Sequence, residues 1–388
     1  MNRGFYIILA AQFLSALADN ALLFAAIALL AKLDAPNWHT PVLQQFFVIS
    51  YIVLAPFVGA FADALPKGRV MLISNTIKFA GCLAMLFGMQ PLYAYGIVGL
   101  GAAAYSPAKY GILTEYLPHH LLVKANGWME GSTVMAIILG AIVGGLLATR
   151  DPVFAVEMIT GLYLAAAAFN LYIPRVPRDH RMPKKNPVYI LHDFWHSFTA
   201  LWRDPQGQVS LAVTTLFWGA GATLRLVVLA WAAAALGFGL DHATQLTATV
   251  AAGIAVGSIA ASRLITLETS VKVLPAGILM GFLVMSMVLI EDWRIAALVL
   301  FFIGILSGYF VVPLNALLQH RGHILIGAGH SIAVQNFNEN ISILLLLGAY
   351  SIMVKHAMPI NWIVLIFGLF VSLVMTLIYH FYRDLKTH

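Results

Sequence analysis

Long apolar runs, separated by short polar intervals, recur along almost the whole chain. Twelve of them approach or exceed the roughly 20 residues a membrane-crossing helix needs. Their approximate limits are 5–31, 42–64, 69–89, 91–112, 125–148, 152–173, 209–237, 242–265, 271–291, 293–318, 328–354 and 359–382. The pattern predicts an all-α membrane protein of about 12 transmembrane helices. The longest polar interval, PRVPRDHRMPKKNPVYILHDFWHSFTALWRDPQGQ, divides the spans into two sets of six. The expected organisation is therefore an N-terminal half over 1–174, a basic linker over 175–207 and a C-terminal half over 208–388. The linker begins Pro-rich and basic. Its later part, Val188 to Trp202, forms either an amphipathic helix on the inner membrane surface or a solvated tether.

Polar residues inside the runs are few. In residues 5–31, Gln12, Ser15 and Asp19 fall at i, i+3 and i+7 and share a helix face. A carboxylate at mid-membrane depth costs about 2.5–3.5 kcal/mol on insertion scales. Asp19, with Asn20 beside it, therefore needs a partner or a wet cavity. Lys78, Lys109, Glu130, Arg225 and Glu339 lie within other spans. Intramembrane ionisable groups pair with one another or mark a pathway. Around Arg225, the face Thr214, Trp218, Gly221 and Arg225 mixes polar, aromatic and small residues. Lys78 reads as a packed or snorkelling side chain, and Lys109, close to a span end, can snorkel too.

Composition agrees with the pattern. Of 388 residues, 61% are hydrophobic and 10% charged, with mean hydropathy +0.87; a soluble domain carries about 25% charged residues. The net charge of +6 marks topology, not affinity for nucleic acid. With both termini in the cytoplasm, 15 Lys and Arg fall in inside segments and 4 outside, as the positive-inside rule requires. Cys82 is the single cysteine, so neither an intramolecular disulfide nor a multi-cysteine metal site is expected. The first run, with Asp19 inside it, is too long for a cleavable signal. The sequence shows no cofactor or nucleotide-binding motif and no catalytic constellation.

The two halves look related. GAAAYSPAKYGILTEY from Gly101 and GILSGYFVVPLNALLQ from Gly304 are small-residue helices with a late proline, each followed by a short His-containing loop. The next helix enters through Asn126-Gly-Trp-Met-Glu130 in one half and Gln335-Asn-Phe-Asn-Glu339 in the other. Internal repeats of this kind are expected of transporters. Glu130, Gln335 and Glu339 then either line an inner vestibule or carry gating hydrogen bonds. The loop histidines 119, 120, 320 and 323 read as solvated. Gly-x-x-x-Gly pairs at 140/144, 253/257, 277/281 and 304/308 read as close-packing surfaces. Trp38, Trp293 and Trp362 read as interfacial anchors.

The loop Gly59-Ala-Phe-Ala-Asp63-Ala-Leu-Pro-Lys67-Gly68-Arg69 resembles the cytoplasmic signature of the major facilitator superfamily, with one extra residue before the Gly-Arg pair. Gly59, Asp63 and Arg69 would then act in gating, with Asp63 paired to a basic segment or seated at a helix N-terminus. A closer resemblance, covering most of the chain, is to the lysophospholipid transporters of bacterial inner membranes. It is carried by AQFLSALADNALLFAAIALL, YIVLAPFVGAFAD, GAAAYSPAKYGIL, LVKANGWMEGST, LFWGAGATLRLVVLAW, FVVPLNALLQ and AVQNFNEN.

That resemblance implies the superfamily fold, two pseudo-symmetric six-helix halves working by alternating access. It implies a substrate with a phosphate headgroup and one acyl chain, chiefly lysophosphatidylethanolamine and lysophosphatidylglycerol. These would move from outer to inner leaflet, where an acyltransferase restores the missing chain. No His-x-x-x-x-Asp motif occurs, so that enzyme is expected to be a separate protein. Spans 1, 4, 7 and 10 line the cavity in the superfamily, which places Asp19, Asn20, Lys109, Arg225 and Trp218 as substrate-binding candidates. Arg225 and Lys109 can take a phosphate. Asp19 can take an ammonium, or neutralise one of those cations; a purely structural ion pair is the other reading. The alternatives for the whole chain are a proton-coupled drug or metabolite exporter and an integral membrane lipid enzyme. The former often has a Gly-Pro pair late in span 5, absent from LGAIVGGLLA.

Overall fold

A computed structural model describes residues 2–35, 39–175, 186–238 and 240–387. Trp38 and the linker cations Arg178, Arg181, Lys184 and Lys185 lie outside the described residues. Thirteen α-helices follow one another among the described residues: α1 (Arg3–Lys32), α2 (His39–Ala64), α3 (Lys67–Leu86), α4 (Pro91–Tyr116), α5 (Leu122–Arg150), α6 (Pro152–Asn170), α7 (Pro187–Arg203), α8 (Pro205–Leu236), α9 (Leu240–Leu264), α10 (Leu274–Ser286), α11 (Trp293–Ile326), α12 (Ala328–Lys355) and α13 (Ile360–Thr387). The twelve expected spans fall on α1–α6 and α8–α13, and α7 is the linker helix. Eleven helices among the described residues are both long and apolar enough to cross a bilayer. The twelfth, α4, has 26 residues, about 39 Å at the α-helical rise. It is rich in Gly, Ala and Tyr and buries most of its length, so it needs less hydrophobicity than a lipid-facing helix. The chain is a multi-pass membrane protein.

Helix boundaries follow local chemistry. Asp151 and Asp204 accept hydrogen bonds from Val153 N–H and Gly207 N–H at the starts of α6 and α8, each followed by a proline that has no N–H to satisfy. Gly237 ends α8 with φ of 65°, a conformation glycine adopts without strain. The ninth span is less regular than expected. A 3₁₀ segment, Leu267–Val273, leads into α10 and another, Met287–Leu289, follows it. Pro275 at the start of α10 cannot extend a helix from before it.

The described residues form two compact units. One comprises Met1–Pro118, Met135–Ala200 and Gly322–Phe337; the other comprises His119–Val134, Leu201–Arg321 and Asn338–His388. The first half of the sequence thus lends the start of α5 to the second unit. The second half lends the start of α12 to the first.

In the first unit, α1 packs through small residues. Ala18, Ala21 and Ala25 are fully buried against Cys82 of α3, Val98 of α4 and Ile159 of α6. In the second unit the Gly253/Gly257 face of α9 meets the Gly304/Gly308 face of α11. A Cβ at Gly253 would stand 3.0 Å from the Gly304 Cα. Asp204 also receives Arg321, whose Nε lies 3.1 Å from its Oδ2. Burial pushes the Asp204 carboxyl up, but the Arg321 and Gly207 hydrogen bonds outweigh it and hold the group below its usual range. That contribution is complete at neutral pH and is lost as pH falls through the depressed range. Asp204→Ala is therefore expected to lower the melting temperature in detergent, the cap alone contributing about 1 kcal/mol. Thermal scans should show the deficit shrinking in acid.

Candidate functional site

Asp19 sits in the first unit in a polar cluster between α1, α3 and α6. Its Oδ2 lies 2.7 Å from Lys78 Nζ, and its Oδ1 accepts from the Tyr163 hydroxyl at 2.6 Å. Lys78 also donates to Ser15 Oγ at 3.0 Å, and that hydroxyl donates to Asn75 Oδ1 at 2.7 Å. The ammonium lies 4.7 Å from the centroid of the Tyr105 ring, close enough for a cation–π attraction. Gly101 of α4 makes room for the lysine stem, since a Cβ there would fall 2.7 Å from Lys78 Cγ.

The ionic partner of Asp19 is therefore Lys78, expected only as a packing or snorkelling residue, and not Arg225 or Lys109. The reason is register. Ser15 and Asp19 on α1 face Asn75 and Lys78 on α3, a correspondence that neither helix reveals alone. Lys78 is 1% exposed and Asp19 22%, so the carboxylate remains the reachable member of the pair. Asn20 donates to Ala16 O at 2.8 Å, within its own helix. Lys109 is buried, its Nζ 4.6 Å from the Tyr110 ring centroid.

A second cluster of the first unit gathers around Asp63 at the end of α2. The carboxylate accepts from Gly329 N–H at 2.7 Å and His330 N–H at 3.1 Å, the first turn of α12. It meets His330 Nδ1 at 2.6 Å and Lys67 Nζ at 2.7 Å. Lys67 reaches Glu115 of α4 at 3.1 Å, and His330 Nε2 reaches Asp193 of α7 at 3.0 Å. A carboxylate at a helix N-terminus meets unpaired N–H groups and the positive end of the helix dipole. Asp63 thus has both a basic partner and a helix N-terminus, but the cation is Lys67, one turn along. Arg69 is exposed and takes no part. Gly59 lets α12 approach: a Cβ there would lie 3.0 Å from the His330 Cα. Further along α12, Asn336 donates to Ser106 Oγ of α4 at 2.9 Å, and Gln335 is buried beside it in sequence.

The second unit carries a matching polar seam. Asn126 of α5 and Gln319 of α11 exchange two amide hydrogen bonds, at 3.0 and 2.9 Å. Asn315 donates to Glu130 Oε1 at 3.3 Å. The seams correspond through the internal repeat: α5 meets α11 in one unit and α12 meets α4 in the other. Glu339 is buried in the second unit. On α8, Arg225 is exposed, Trp218 is half-buried with its ring 5.4 Å from Phe217, and Gly221 opens onto free space. No ion pair holds Arg225 among the described residues, which leaves its guanidinium available to an anion. Sequence reasoning missed Tyr163, Glu115, Asp193, His330, Gln319 and Ser106. Each is a common residue type whose role comes only from what lies opposite it.

Twelve spans, the Asp63 motif seated on a later helix and paired polar seams define a transporter built from a repeated six-helix unit. Residues 8–345 match the Major Facilitator Superfamily, and the chain belongs to it. More particularly, it is 50% identical over 357 residues to the lysophospholipid transporter LplT of Serratia proteamaculans (strain 568), covering 92% of this chain and 89% of the relative. Identity to the protein of that name from Yersinia enterocolitica is 49% over 362 residues, 93% of this chain and 89% of that one. Among solved structures, a single-residue variant of the Escherichia coli fucose:proton symporter FucP superposes with a TM-score of 0.78 at 13% identity, covering 98% of each chain. The human organic anion transporter MFSD10 superposes with a TM-score of 0.78 at 13% identity, covering 98% of this chain and 100% of that one. These two likenesses concern the fold.

Proposed function

We propose that this protein moves lysophospholipids, chiefly lysophosphatidylethanolamine and lysophosphatidylglycerol, from the outer to the inner leaflet of a bacterial inner membrane. The observation that carries this reading is the near-half identity, along nine-tenths of the chain, to transporters named for that substrate. The Lys and Arg bias supports an orientation with both termini in the cytoplasm. The products would pass to a separate acyltransferase, and surrounding membrane lipids would contact the acyl chain throughout.

The site chemistry supports the same substrate class. Arg225 offers a planar fork to the phosphate, with Trp218 two turns earlier on its face. By the resemblance, Lys109 of the first unit is a further candidate to meet an anionic headgroup. Asp19 keeps lone pairs free beyond its contacts with Lys78 and Tyr163, and can accept from an ethanolamine ammonium; Asn20 follows it. Gly59, Asp63, Glu130, Gln335 and Glu339 belong to the gating machinery, which must break and remake the seams in each cycle. Arg69, outside the Asp63 cluster here, would act in another state of that cycle.

The test is inward movement of labelled lysophosphatidylethanolamine placed in the outer leaflet of liposomes. Wild-type protein is expected to transport. Arg225→Ala is expected to lose at least about tenfold in rate, the effect of one charge-assisted contact, while its melting temperature stays at the wild-type value. Absence of protein-dependent movement would sink the substrate assignment; full activity of Arg225→Ala would remove that residue from the site.

A further inference from the structure

The Asp63 cluster contains a contact that gating by a helix N-terminus does not require. His330 stands between two carboxylates, Nδ1 2.6 Å from Asp63 Oδ2 and Nε2 3.0 Å from Asp193 Oδ2. An ionised carboxylate only accepts hydrogen bonds, and a neutral imidazole carries one N–H. A neutral ring satisfies one carboxylate and turns a lone pair on the other. Only the imidazolium donates to both. Asp63 is fully buried and held by Gly329 N–H, His330 N–H and Lys67. Asp193 is 26% exposed and can turn to water. The Nε2 proton is therefore the one to leave, and the Asp193 contact is the one to break.

Asp193 lies on α7, the linker helix. Phe194 and Phe198 of α7 pack edge-on to Phe337 of α12, with centroids 5.5 and 6.3 Å away. Val188, Leu191 and Trp195 of α7 are exposed, the Trp195 ring stacked on Phe198 at 5.3 Å. The charged groups facing His330 are Asp63 of α2, Lys67 of α3, Glu115 of α4 behind Lys67, and Asp193 of α7; His192 and His196 lie exposed on α7.

We infer that His330 and Asp193 are positioning residues of the conformational cycle, in which the His330 imidazolium straps α7 to the seat of α12 on Asp63 and loss of its Nε2 proton to solvent releases the strap. The cycle meant here is that of the proposed transporter, but the strap can be tested without substrate. Ala328, the first residue of α12, is 2% exposed, and its Cβ would be 3.2 Å from one added at Gly111 of α4. In full-length protein carrying Cys82→Ser, an Ala328→Cys reporter reads opening at this seat through its rate of labelling by a water-soluble maleimide. The quantity measured is the rate with Asp193→Asn added, divided by the rate of the reporter alone at the same pH, which cancels the thiol's own titration. This ratio is expected to be about tenfold in acid, the size of one lost hydrogen bond between charged groups, and to fall towards one in alkali. Asp193→Glu, which keeps the charge, should hold the ratio near one throughout. A ratio that does not change with pH, at one or at any higher value, overturns the strap. Wild-type transport of lysophospholipid is measured separately, so the substrate reading can fail with the strap intact, and the reverse.

Discussion

Lys78→Ala is expected to destabilise the protein by about 3–5 kcal/mol, because breaking a buried pair leaves a charge without compensation. The lysine is the inner member of the Asp19 pair, 1% exposed and enclosed by the Tyr105 and Tyr163 rings. Its removal leaves the Asp19 carboxylate with the Tyr163 hydroxyl as its remaining contact in the cluster. Asp19→Asn alone strands the ammonium instead and should also destabilise. The double variant Lys78→Met with Asp19→Asn removes both charges and should recover most of the loss, since well-packed neutral replacements of buried pairs are often tolerated. Melting temperatures at one scan rate in detergent measure all three; a double variant no better than the worse single would show that the pair is not what holds these helices. The same double variant separates two roles of Asp19. If it folds and transports, the carboxylate serves only Lys78; if it folds and does not transport, the charged pair itself is needed for transport.

Gly257→Leu is expected to prevent α9 and α11 from packing at their present distance. The two Gly-x-x-x-Gly faces meet backbone to backbone, and a Cβ at Gly304 would lie 2.9 Å from the Gly253 Cα. A Cβ at Gly257 would press into the backbone of Ile305, where no side chain can swing aside. Overpacking a core costs about 1–3 kcal/mol when side chains can shift, and a backbone obstacle leaves less room to relax. The expected result is loss of a monodisperse peak in size-exclusion chromatography. Gly257→Ala should give a milder form of the same defect. Gly221→Ala, on open space in α8, should be silent in this measurement.

How much of this was legible in the sequence depended on whether a feature is local. Span positions were, because a bilayer imposes its length on every crossing helix. α4 was counted correctly despite its Gly and Tyr content, since its length and flanking loops still mark a crossing. Over Val188 to Trp202 the sequence left an amphipathic helix and a solvated tether both open; the chain is helical there, as α7. Asp19 stood out because a mid-span carboxylate is costly, yet its partner did not. Lys78, Lys109 and Arg225 are equivalent as letters, and choosing among them requires the register of α1 on α3 and the gap at Gly101. Asp63 was expected at a helix N-terminus or beside a basic group. Its cation is Lys67 and not Arg69, because Lys67 opens α3 at i+4 from Asp63 and points inward. His330 and Asp193 gave no local signal, being separated by more than a hundred residues of chain.

The exchange of helix ends between the units sets an order for synthesis. A ribosome releases the first 200 residues long before residues 322–337, yet the first unit needs those residues to cover Asp63 and Ser106. Until they arrive, the newly inserted helices carry a buried-type carboxylate with no N-terminus to sit on, so the first half must wait as an incomplete intermediate in the bilayer. A gene split in the linker should therefore yield two fragments that are each short-lived when made alone and persist only when made together.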